Sequence, residues 1–398
     1  MPEAAAGVTA EQPIHGSCAP GFEPVRDALA AAFARGEEIG AAVAVEVGGE
    51  NVVDLWAGHA DAGRTRPWQR DTIANVYSTT KGVVAILAHR LAEQGRLDLD
   101  APVVRYWPEF AQHGKERIRV SDLLCHRSAL PALRELLPEQ SLFDWTAMTS
   151  ALAAERPWWE PGSAHGYHAV TYGWLIGEVI RRITGKSVGT VLRDEITGPL
   201  AIDFAIGLAE RDDARCAELT APPIGVPIEG EPNLMELIMS DPTSVTALAF
   251  INPPSLMLPG TVNGRAWRGA EIPGANGHGT ARALARLYGA IANGGSSGAV
   301  QVLGPEAAAR AATEHSCGPD LVLRLRTRFA LGFMLSQPGS AFGPNDGAFG
   351  HPGAGGSIAF ADPKARLGFS YVMNRMGPRI LIDPRATALI DATYRCIR

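Results

Sequence analysis

A chain of 398 residues exceeds the usual length of a single core, so two lobes or one large elaborated domain are expected. With 46% hydrophobic and 20% charged residues it has the make-up of a globular protein, and no stretch approaches the roughly 20 apolar residues that span a bilayer. A net charge of −6 without long single-sign blocks speaks against a nucleic-acid partner.

In chain order, "MPEAAAGVTAEQPIHG" lacks a basic start followed by an apolar run, so no secretory signal is expected. Residues 22–36, "FEPVRDALAAAFARG", have the spacing of an amphipathic helix ended by Gly36. "GAAVAVEVGGENVVDLWAGHAD" follows from Gly40 as two β-rich runs around Gly-Gly-Glu-Asn, a hairpin signal. A helix is expected from 79 to 94, with Val84, Leu87, Ala88 and Leu91 on one face and Gly95 as its stop.

From 100 to 270 the pattern is helical and loop-rich. "TYGWLIGEVIRRITG" is its clearest helix, with Tyr172, Leu175, Ile176, Val179, Ile180 and Ile183 at helical spacing and Gly185 closing it. Residues 222–262 are proline-dense and read as a long covering loop. A last helix, "TARALARLYGAIANGG", leads to the strand-like runs "RFALGFML", "GSIAFAD" and "RLGFSYVMN". Strands at both ends around a helical middle predict an α/β sheet domain built from 1–100 and 271–398, with 101–270 inserted as a helical domain. No repeat or low-complexity segment is found. The five cysteines (18, 125, 216, 317 and 396) have no C-x-x-C spacing, so free thiols in a reducing cytoplasm and no zinc site are expected.

Three short stretches carry chemistry. "NVYSTTKGVVAIL" sets Ser78 three residues ahead of Lys81 at the start of a helix, where free N–H groups favour developing negative charge. Residues at i and i+3 share a face, so the amine can reach the hydroxyl, and a lysine kept from water can serve as a base. On its own the pair reads equally as an N-cap and a surface charge. "EPGSAHGYHAV" places Tyr167 just before the 171–185 helix, where a tyrosine alone is ordinarily a packing residue. "GHPGAGGSIAFADP" is a glycine-dense approach to a strand, where backbone can come close to a ligand; it lacks the Gly-Lys-Ser/Thr ending of a phosphate loop. "GGSSG" formally fits G-x-S-x-G, but Ser296 follows a helix rather than a strand and is read as a turn.

Taken in this order, S-x-x-K, then Tyr167, then His-x-Gly, the chain resembles the serine β-lactamase/penicillin-recognising superfamily. Within it the resemblance is to the class C-like esterases, the family VIII carboxylesterases. It implies a β-lactamase/transpeptidase-like fold, an antiparallel sheet flanked by helices with an inserted all-helical lobe. It implies Ser78 as the acylated nucleophile, with Lys81 and Tyr167 moving its proton. The Lys-Thr-Gly triplet of the lactamases becomes His351-Pro352-Gly353. By the same resemblance the N–H groups of Ser78 and Ala354 form the oxyanion hole, and His351 and Gly353 line the substrate site.

Two departures bear on substrate. The lactamase Tyr-x-Asn is here Tyr167-His168-Ala169, and the lysine that pairs with a substrate carboxylate is His351. Both weaken recognition of an anionic β-lactam while leaving acyl transfer intact. Trp145, Trp158, Trp159 and Trp267 fall around the expected cleft, and Trp158 and Trp159 are the candidates for its wall. The expectation is a cytoplasmic bacterial serine carboxylesterase acting on a small-molecule ester, with no metal or organic cofactor. A β-lactamase, D-amino-acid peptidase or acyltransferase on the same machinery is the alternative, and a non-catalytic scaffold has no need of all three groups.

Overall fold

The hairpin near the start of the chain finds its partners at the far end. The computed structural model describes residues 12–222 and 231–397. Its main sheet has nine strands: β1 (Ile14–Cys18), β2 (Gly40–Val47), β3 (Glu50–Gly58), β4 (Ser316–Pro319), β5 (Arg326–Phe329), β6 (Met334–Leu335), β7 (Phe349–Pro352), β8 (Ile358–Asp362) and β9 (Leu367–Met373). They lie in the order β1-β3-β2-β9-β8-β7-β6-β5-β4, each neighbouring pair antiparallel. β8 and β9 are buried along their whole length, so helices cover both faces of the sheet centre.

The five longest helices are α1 (Glu23–Ala34), α2 (Thr79–Glu93), α3 (Thr171–Thr184), α4 (Ala281–Ala292) and α5 (Pro384–Cys396). α4 covers one face. A Cβ on Gly368 of β9 would stand 2.2 Å from the Gly289 nitrogen of α4, so only a glycine pair lets helix backbone rest on strand backbone. Tyr371 points to the other face, where its hydroxyl meets Glu38, and Arg385 of α5 holds the same carboxylate at 3.2 Å. α1 and α5 pack together on that side.

Three expectations need correction. α5 follows the last helix anticipated, and its signal is Asp383-Pro384: the Asp383 side chain accepts the Arg385 N–H at 2.9 Å and proline occupies the first turn. α2 was expected to bury one face, but it is buried from Thr79 through His89. Small residues such as Gly82, Ala85 and Ala88 let α3 and β7 close in around it. The 101–270 segment is not all helical, since Phe204–Ala205 joins Ala74–Asn75 and His278–Gly279 in a second small sheet.

Of the proline-dense stretch, 223–230 lie outside the described residues. The remainder is more ordered than a loop: helices Leu234–Ser240 and Val245–Ile251 are capped by the side chains of Asn233 and Ser244. Among the described residues no single helix is long and apolar enough to cross a membrane.

Candidate active site

Ser78 stands where the short strand Ala74–Asn75 turns into α2. The turn is tight enough to force Tyr77 to φ +41°, a conformation that costs a side-chain-bearing residue and that recurs where function demands it. Ser78 itself is the half-buried residue before the first helical turn, at φ −68° and ψ −11°.

One turn on, Lys81 is wholly enclosed. Its Nζ lies 3.0 Å from Ser78 Oγ, 2.7 Å from the Ala169 carbonyl oxygen and 2.8 Å from that of Gly274. No carboxylate hydrogen-bonds it among the described residues. Burial therefore acts unopposed and holds its pKa well below the usual lysine range. Two carbonyls absorb two N–H groups, which leaves the third position of the amine facing the serine hydroxyl.

Tyr167 is buried, with Lys81 Nζ 4.9 Å from its ring centroid. Burial raises its phenol pKa, and the neighbouring Ser78 side chain works against that rise. The ring is gripped by His126, 5.0 Å away between centroids, and by Phe329, stacked at 6.0 Å. Ser78, Lys81 and Tyr167 thus converge, as the three motifs require.

The third stretch is the β7–β8 hairpin, so His351 and Pro352 end one strand rather than approach the next. Gly353 lies against the nucleophile turn. A Cβ there would fall 2.2 Å from both the Val76 oxygen and Ser357 Oγ, so no other residue fits. Ala354 is the next residue along the chain from this contact. Neither the Ser78 nor the Ala354 amide has a hydrogen-bond acceptor among the described residues.

His351 departs from expectation. The residue is 1% exposed rather than lining an open cleft, and its ring lies 6.0 Å from that of Tyr167. Nδ1 bonds the Pro352 carbonyl at 2.7 Å, and burial with Lys81 nearby pulls its pKa down to about 3, so it is neutral.

A model of the family described as Beta-lactamase matches residues 25–392. The chain belongs to the beta-lactamase family. It is 36% identical over 396 residues to the esterase/beta-lactamase LipL of Mycobacterium tuberculosis, covering 95% of this chain and 87% of that protein. A penicillin-binding protein homologue from Caulobacter crescentus has the same fold, with a TM-score of 0.89 at 42% identity over 96% of this chain and 100% of that one. A family VIII carboxylesterase gives a TM-score of 0.87 at 43% identity, again over 96% and 100%. The protein is a serine hydrolase of β-lactamase-like fold, as its three ordered motifs implied.

Within this beta-lactamase family member the tryptophans divide. Trp158 donates Nε1–H to the Ala132 carbonyl at 2.8 Å and has the Arg134 guanidinium 4.0 Å from its ring centroid. Trp159 is nearer the site, because its indole closes on Gly166, the residue before Tyr167. Trp267 packs edge-on at 6.2 Å against Tyr77, and Trp145 bonds Glu178 at 2.7 Å in the helical region. Ser296 pairs with Gln301 in a two-residue hairpin after α4 and has no strand–turn–helix setting. Sequence reasoning missed His126 and Asp320, which flank Tyr167; neither sits in a motif, and only their contacts reveal them.

Proposed function

We propose that the protein is a carboxylesterase that hydrolyses short, uncharged acyl esters through an acyl-enzyme on Ser78. The observation that carries this reading is the coordination of Lys81 Nζ by two backbone carbonyls and Ser78 Oγ. A neutral amine in that setting gives both N–H groups to Ala169 and Gly274 and turns its lone pair to the serine O–H. Ser78 Oγ attacks the ester carbonyl carbon as its proton passes to Lys81. The tetrahedral oxyanion forms between the Ser78 and Ala354 amides, each donor contributing on the order of 3 kcal/mol to the transition state. The C–O bond to the alcohol breaks and the alkoxide takes a proton through Tyr167. Water then adds to the acyl carbon, giving its proton back through the same groups, and Ser78 is released.

The preference for neutral esters follows from His351. An uncharged imidazole cannot replace the cationic lysine that grips a substrate carboxylate, and Ala169 offers no amide in place of asparagine. Hydrolysis of β-lactams is the second reading, favoured by the relative from Mycobacterium tuberculosis whose name couples esterase with beta-lactamase. The test is kcat/KM for aryl esters of graded acyl length beside a chromogenic cephalosporin. Short esters are expected to exceed the cephalosporin by at least about tenfold, the value of one charge-assisted hydrogen bond. Parity would favour the lactamase reading.

A further inference from the structure

Tyr167 lies in an irregular stretch, 164–168, where neither helix nor strand fixes its backbone. Three consecutive amides there are each taken by a partner from elsewhere. Gly166 N donates to the His126 carbonyl at 3.1 Å, and His168 N donates to His126 Nδ1 at 3.2 Å. Between them, Tyr167 N donates to both carboxylate oxygens of Asp320 at 3.1 Å, across 153 positions of sequence.

The Asp320 side chain has no exposed surface. Oδ1 also accepts from Val322 N at 2.9 Å and Leu323 N at 2.8 Å, and Oδ2 accepts from Thr327 Oγ1 at 3.1 Å. Thr327 Oγ1 lies 2.8 Å from His165 Nε2; its own hydrogen goes to Asp320, so His165 supplies the N–H. Leu321 N donates to the His165 carbonyl at 3.1 Å and zips the two segments together. Among the described residues no lysine or arginine pairs with this carboxylate. A buried acid is costly to maintain, and every donor that satisfies this one belongs to the two segments that frame Tyr167.

The geometry points to Asp320 as a positioning residue that locks the Tyr167 backbone, and through it the phenol, against Ser78. The inference rests on the relay role given to Tyr167 above. Asp320 touches neither Ser78 nor Lys81, so its effect on turnover passes through Tyr167. A residue that served only stability would act the same whether or not the phenol is present.

A double-mutant cycle separates these cases. kcat and KM for a short aryl ester are measured for the native protein, Asp320→Asn, Tyr167→Phe and the double variant, with thermal unfolding recorded for each. Asp320→Asn is expected to lower kcat about tenfold or more with KM within about twofold, and to change kcat less than about twofold on the Tyr167→Phe background. Equal losses on both backgrounds would overturn the inference while leaving the relay reading intact. If Asp320→Asn yields no folded protein, Thr327→Val carries the cycle by removing one donor to Asp320. It is then expected to cost about threefold in kcat on the native background and nothing on Tyr167→Phe, and native kcat in Thr327→Val would overturn the inference. Full kcat in Tyr167→Phe would instead end the relay reading, and the role of Asp320 with it.

Discussion

Ser357 Oγ donates to the Val76 carbonyl at 2.8 Å, and this bond ties the turn after β7 to the chain two residues before Ser78. Gly353 N reinforces it by donating to the Ser357 carbonyl at 2.6 Å. The two proposed oxyanion donors thus sit on segments whose spacing depends on a glycine.

Gly353→Ala tests that dependence. The new methyl would meet the Val76 oxygen at 2.2 Å and push the segments apart. kcat/KM for a short aryl ester should fall by about a hundredfold, comparable to the loss of an oxyanion donor. Overpacking should also destabilise the fold by about 1–3 kcal/mol, read from denaturant unfolding. Native efficiency in this variant would show that the close approach is not used in catalysis.

The pH profile follows from Lys81. The reacting form is the neutral amine, so kcat/KM should be lost as pH falls through the folded-state pKa and be level above it. Burial depresses that pKa, so the rise should be complete well below the ordinary lysine value of about 10.4. Lys81→Arg keeps the charge but cannot release its proton, and should lower kcat by about a thousandfold or more at every pH. Activity that still climbs at pH 10 would contradict a depressed Lys81.

His351 makes a prediction about selectivity. With its pKa drawn down to about 3, the imidazole stays neutral at every working pH. The ratio of cephalosporin to ester efficiency should therefore be flat between pH 5 and 8. A ratio that rises on acidification through a single group near pH 6 would mean that His351 charges and recruits the carboxylate.

Local features of the site were legible because they are written in neighbouring residues. Ser78 and Lys81 are one helical turn apart, and the order of the three motifs identified Tyr167 and the His351–Gly353 strand end. The rest depends on contacts that leave no residue-type signal. The acceptors of Lys81 are the backbone carbonyls of Ala169 and Gly274, which any side chain could accompany. Asp320 looks like an ordinary turn aspartate until the fold sets it on the Tyr167 amide. His351 shows the opposite case: the motif gave it a place beside the substrate, but its burial near Tyr167 depends on the strand pairing of β7 with β8. α2 was misread for a related reason. Its face pattern was real, but the absence of charge between Gly82 and Ala88 was the stronger sign of a helix enclosed on every side.

The most direct test of the account is covalent trapping. The native protein and Ser78→Ala are quenched during turnover of an activated short-chain aryl ester, and intact mass and peptide mapping locate any acyl group. The account predicts one acyl group on the peptide containing Ser78 in the native protein, and neither adduct nor turnover in Ser78→Ala. An acyl group on the peptide containing Ser296, or undiminished turnover in Ser78→Ala, would contradict it.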